Sequence, residues 1–252
     1  MHNKTIITFL ALSIAGCASI SKETKEVEKT PIRVTSFSES KPEGLIPVGW
    51  QPWVLSKYKK PTEYQLIPYD GVTVIKANAN SSASGLVHPL KLDPNKYPLL
   101  KWRWKVPTLI TGADNFQRHT EDSPVRLVVT FAGDKSRLSF SDKLLFTEVK
   151  AFTGQELPYA TLMYIWENRA PKGTIIPSLH TNRIQMIVAD SGHENLGKWR
   201  EEIRNVREDF RRAFGEEPGL VTSIGILTDT DNTGESVQAY YGDLGFLPIA
   251  SY

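Results

Sequence analysis

The segment Leu100-Lys101-Trp102-Arg103-Trp104-Lys105-Val106 constrains the fold more tightly than any other part of this chain. Apolar and cationic residues alternate strictly along it, and in an extended strand successive side chains point to opposite faces. Leu100, Trp102, Trp104 and Val106 therefore share a face that demands burial, while Lys101, Arg103 and Lys105 share a face that demands water or partners. Shorter apolar runs bounded by turn residues predict further strands over 71–79, 85–92, 125–131, 160–166, 183–189, 223–228 and 237–246. So many short strands predict a mainly β chain built as two packed antiparallel sheets, a β-sandwich. The 6 Trp, 9 Tyr and 10 Phe, punctuated by 16 Pro and 17 Gly, agree with that class.

One segment breaks the pattern. Asn205 is placed to cap a helix with Glu208 three residues on, Val206, Phe210, Ala213 and Phe214 form an apolar stripe, and Gly215 and Pro218 stop it. One short helix near 205–214, packed on a sheet, is expected.

The chain opens with Lys4 and about ten mostly apolar positions from Thr5 to Ile14, the plan of a signal peptide and too short for the roughly 20 residues of a spanning helix. Ile14-Ala15-Gly16-Cys17 resembles the bacterial lipobox, whose cysteine is acylated and becomes the first residue of the mature protein. Cys17 is the single cysteine, so an intramolecular disulfide is excluded and lipidation explains the thiol. The resemblance implies a lipid anchor at Cys17, and Ala18 after it favours the periplasmic face of the outer membrane. The expected organisation is a signal peptide at 1–16, a lipidated cysteine with a solvated tether over 17–44, and one β-sandwich over 45–252.

With 30 Lys plus Arg against 28 Asp plus Glu, no global basic field invites nucleic acid. The local row Lys101, Arg103 and Lys105, joined by Arg126 and Arg183 if neighbouring strands align, is a candidate ligand-binding face for an acidic sugar or another anionic envelope component. The competing reading is a solvated face neutralised by salt bridges. Trp102 and Trp104 are assigned to the core, whereas Trp50, Trp53, Trp166 and Trp199 are open as rim aromatics.

Asp229-Thr230-Asp231-Asn232-Thr233-Gly234 imitates the first half of a calcium loop, but Tyr240 stands where an EF-hand needs its bidentate Glu. An ion there would need Asp243 beside Asp229 and Asp231. The competing reading is a hairpin loop hydrogen-bonded to its own Asx side chains. His119, Glu121 and Asp122 form the densest run of titratable groups, weak catalytic candidates as general base or metal ligand. A charged surface loop is the favoured reading, because no nucleophile elbow, zinc spacing or phosphate loop accompanies them.

Several strings are then familiar together: Ser82-Ala83-Ser84-Gly85-Leu86-Val87, Trp102-Arg103-Trp104-Lys105-Val106, Arg204-Asn205-Val206 with Asp209-Phe210, Ala213-Phe214-Gly215, the loop at Thr228 to Gly234, and Tyr241-Gly242-Asp243. In this order they resemble the bacterial family catalogued as domain of unknown function 3047, over roughly 50–246. That resemblance implies no activity. The chain is also similar to galactose-binding-like, jelly-roll β-sandwiches, whose sugar-binding members often end on an acidic-glycine strand. The expectation is an exported lipoprotein carrying a non-catalytic module for a carbohydrate or other envelope component. A glycan-processing hydrolase or lyase using His119, Glu121, Asp122, Asp229 and Asp231 is the first alternative, and an envelope assembly protein the second.

Overall fold

The alternation at 100–106 is realised as a strand with every second side chain sealed from water: Leu100, Trp102, Trp104 and Val106 are each at most 1% exposed. The computed structural model describes residues 32–42, 44, 46–154 and 156–249. The expected signal peptide at 1–16 and Cys17 lie outside the described residues. The strands are β1 (Ile32–Thr35), β2 (Gln51–Trp53), β3 (Glu63–Tyr69), β4 (Val72–Asn80), β5 (Ala83–Leu92), β6 (Leu99–Lys105), β7 (Ser123–Phe131), β8 (Ala160–Glu167), β9 (Ile175–Pro177), β10 (Ile184–Ser191), β11 (Trp199–Asn205), β12 (Val221–Asp229) and β13 (Ser236–Leu247). Two helices, α1 (Phe140–Thr153) and α2 (Val206–Phe214), complete the described fold with two short 3-10 turns.

Sheet A runs β11-β6-β13-β4-β3, with β1 paired to the far half of β13, and sheet B runs β2-β5-β12-β7-β8-β10-β9. The two form a β-sandwich. Its centre is aromatic: Trp102 of sheet A meets Tyr164 of sheet B at 5.0 Å between ring centroids and Trp104 at 5.4 Å. Polar ties cross the same gap, because the Tyr241 hydroxyl donates to the Leu227 carbonyl at 2.7 Å. α2 closes one end, with Phe210 fully buried and 4.6 Å from Phe131. The Asn205 side chain accepts from the Glu208 N–H, and Gly215, at φ 72°, takes the left-handed position that ends the helix.

Three expectations are corrected. The solvated tether does not extend to residue 44, because Ile32–Thr35 pairs with β13 and Phe37 is fully buried, so the folded body begins by Ile32. The helix at α2 is joined by a second, longer one: Ser139 caps α1 by accepting from the Asp142 N–H, and the Asp142 carboxylate takes the Thr181 hydroxyl at 2.6 Å. Sheet B is mixed, since β8 and β10 run parallel.

Candidate functional site

The outward side of β6 carries the three cations the alternation placed there, each half-buried. Register fixes their neighbours. Lys105 stands opposite Trp199 on β11 and Tyr240 on β13, and Tyr240 stands opposite Lys76 on β4, which faces Gln65 on β3. Trp199, Lys105, Tyr240, Lys76 and Gln65 thus form one row across five strands. The hairpin joining β3 to β4 turns through Asp70 and Gly71, both with positive φ, as a two-residue I′ turn requires. It brings Tyr69 back over this face: the Tyr69 ring lies 4.9 Å from Tyr240 and 5.9 Å from Trp199, and its hydroxyl accepts from Lys105 Nζ at 2.7 Å. Partial burial, and after it electrostatic repulsion from Tyr69, push the Tyr240 phenol upward against the opposing charge of Lys105.

Depressions flank this aromatic cluster. One of about 620 Å³ is lined by Lys60, Glu63, Lys76, Asn78, Asn80 and Gln238 among others. The other, about 570 Å³, is lined by Lys101, Arg103, Glu201, Asp243 and Gly245 among others. Asn78 Oδ1 is buried and accepts no hydrogen bond from the described residues. Trp199 was legible as a possible rim aromatic. Tyr69 and Tyr240 were missed, although the Asp70-Gly71 pair signals the hairpin that delivers Tyr69.

Arg126 and Arg183 do not extend the cationic row, because Arg126 lies on β7 of sheet B and Arg183 in the turn that leads into β10 of the same sheet. Arg126 is 2% exposed and donates to Asp229 Oδ1 at 2.9 Å and to the Glu121 carbonyl at 2.9 Å. Arg183 donates to the Tyr159 carbonyl and to Glu216 Oε1 at 2.8 Å, with its guanidinium over the Tyr159 ring. Both are spent on structure. Trp50 and Trp166 are buried, which removes them as rim aromatics.

Asp243 is likewise removed from the acidic loop, for its carboxylate accepts the Ser38 N–H and hydroxyl. Asp122 takes its place: one carboxylate oxygen each from Asp122, Asp229 and Asp231 lie within 4.8 Å of one another. The loop after β12 is held from outside, since Asp122 Oδ2 accepts both the N–H and the hydroxyl of Thr233 at 2.7 Å and Oδ1 accepts from Asn232. The loop's own Asn232 side chain adds donations to Asp122 Oδ1 and to the Glu121 carbonyl. Asp229 accepts from Ser123 N–H and Arg126, and Asp231 Oδ2 meets Lys59 Nζ at 2.6 Å. Burial pushes the Asp229 carboxyl up to about 6, opposed by Arg126 and reinforced by the Asp122 charge. Two oxygens, Glu121 Oε2 and Asp231 Oδ1, are buried and unpartnered among the described residues.

Glu121, Asp122, Asp229 and Asp231 therefore converge, as a hydrolase would require, but as an interior network. Asp122 is fully buried with both oxygens engaged by Asn232 and Thr233, so it faces no open cleft. His119 is exposed. Val206 and Phe210 of α2 are buried, whereas Phe140 and Phe152 of α1 are exposed.

A family model described as protein of unknown function (DUF3047) matches residues 48–245. No curated protein matches the chain. Among solved structures, the family 30 carbohydrate-binding module of a Clostridium thermocellum cellulosomal cellulase aligns at 10% identity and TM-score 0.38, over 88% of this chain and 99% of the module. The CBM22-1 xylan-binding domain of Paenibacillus barcinonensis Xyn10C aligns at 12% identity and TM-score 0.37, over 89% and 99%. The arabinose-bound MgGH51 α-L-arabinofuranosidase aligns at 11% and TM-score 0.41, over 87% of this chain, which spans 26% of the enzyme's length.

Proposed function

This chain belongs to the DUF3047 family, and from that premise we propose a non-catalytic module that binds glycan on the outward face of sheet A. The observation that carries this reading is the row Trp199, Lys105, Tyr240 and Lys76 with Tyr69 folded over it, set between two polar depressions. A pyranose has apolar C–H faces that pack on aromatic rings and hydroxyls that need amide and charged partners, and this face offers both side by side. The resemblance of Ile14 to Cys17 to a lipobox supports an anchor that holds the module at the cell envelope, favouring the periplasmic face of the outer membrane. The test is a glycan array probed with the soluble chain lacking residues 1–17. Binding to a subset of glycans is expected, weakened roughly tenfold by Trp199→Ala, the size of a modest hot spot. Uniformly empty arrays would remove the reading.

A structural cation on the acidic network is a second element of this reading, favoured by the two orphaned carboxylate oxygens. Among the described residues the four carboxylates there are paired with only two cations, Arg126 and Lys59, and unpartnered buried oxygens are costly. Asp122, Asp229 and Asp231 offer the hard oxygen ligands that calcium prefers. Calcium at a hundredfold excess over its Kd should add about 2.7 kcal/mol, a Tm rise of about 5–10 °C for a chain this size. Scanning calorimetry of chelator-treated protein with and without calcium reads it. An unchanged Tm, or an equal rise in Asp231→Asn, would dismiss the site.

A further inference from the structure

Arg103 occupies a place the fold has shaped for it. β13 pairs with β6 through Tyr240 and Tyr241, then resumes at Leu244 opposite Trp102, so Gly242 and Asp243 bulge opposite Arg103. A Cβ at Gly242 would stand 2.5 Å from Arg103 Cγ and 2.3 Å from its Nε, so any larger residue there would push the arginine stem out of this position. The guanidinium lies over the Trp199 ring, 4.9 Å from its centroid. Glycine below and indole beside it hold the planar fork in one orientation.

That fork has no hydrogen bond or carboxylate partner among the described residues. By contrast Arg126, Arg183, Arg200 and Arg204 are all paired with acids. The acids nearest Arg103 in its depression are already engaged, Glu201 with Lys101 at 2.8 Å and Asp243 with Ser38. Lys105, its neighbour on the same face, donates to the Tyr69 hydroxyl and likewise has no paired acid. A preorganised guanidinium facing an open depression of about 570 Å³ is fitted to receive two oxygens of a planar anion.

Resting on the glycan reading above, we propose that Arg103, positioned by Gly242 and Trp199, selects glycans bearing carboxylates, that is uronic-acid residues. The experiment measures binding by calorimetry to oligomers of galacturonate, glucuronate and mannuronate, each beside its carboxyl-reduced, neutral counterpart. At least one acidic oligomer should bind, its reduced form about tenfold or more weakly, the loss expected when a charge-assisted hydrogen bond is removed. Arg103→Lys keeps the charge but not the fork and should show a similar loss. Gly242→Ala should do the same with residue 103 untouched, and its far-ultraviolet spectrum and Tm report whether it folds. Equal binding of acidic and reduced oligomers, or unchanged binding by Arg103→Lys, overturns the selectivity and leaves glycan binding standing. If no oligomer of either kind binds while the array shows binding to another glycan, the selectivity alone falls; if the array is empty too, both readings fall.

Discussion

Replacing Trp102 by alanine should destabilise the protein by about 3–5 kcal/mol, a large part of the 5–15 kcal/mol that typically separates folded from unfolded states. The side chain is 1% exposed and joins the sheets, stacked on Tyr164 across the gap and edge-on to Trp104 in its own strand. Truncation leaves a cavity between two layers held apart by their other side chains, so the gap collapses only in part. Trp102→Phe should cost much less, because the indole N–H it removes has no hydrogen-bond partner among the described residues. Urea unfolding of the soluble chain measures both. A loss under about 1 kcal/mol for the alanine variant would show that the rings do not hold the sheets together.

The reason this tryptophan was legible, and other features were not, lies in which residues face inward. β6 buries every second side chain, so period two exposes it, whereas β7, β8 and β10 are buried on both faces and read as continuous apolar runs. β11 puts Arg200, Glu202 and Arg204 on the side opposite Trp199 and Glu201, engaging Asp190, Lys172 and Asp209, so no apolar alternation marks it. β3 is an edge strand interrupted by Pro68, which an edge tolerates and a sequence pattern penalises. α1 escaped because Phe140, Leu144 and Phe152 are exposed while Phe146 packs on the core, so its apolar residues do not define one buried stripe. The parallel pairing of β8 with β10 is long-range and has no local signature. The candidate site divides likewise. The cationic row was readable from one strand, whereas Tyr69 reaches it only through a hairpin and Tyr240 only through register. Arg126 was misplaced because its partner Asp229 lies 103 residues away.

That distant pair supplies the other large effect. Arg126→Met should cost about 3–5 kcal/mol near pH 8, because it strands Asp229 and weakens the compensation of Glu121 and Asp122 in the interior. The loss should shrink on acidification. In the intact protein the Asp229 carboxyl titrates at about 6 against an ordinary value of 3.8, raised by burial. Its folded state therefore binds more protons than its unfolded state between those values. The penalty for holding it ionised is fully present above about 6, fades as pH falls, and is gone below about 3.8. Without the Arg126 charge the folded value rises further and the upper edge of that window moves up. At pH 5 the variant then holds Asp229 as a neutral acid and has lost mainly hydrogen bonds, whereas at pH 8 it holds an uncompensated anion. Urea unfolding at the two pH values should give a markedly larger difference from the intact protein at pH 8, and Asp229→Asn added to Arg126→Met should flatten that dependence. An equal loss at both pH values would mean that Arg126 acts through packing alone and that the acidic network does not depend on its charge.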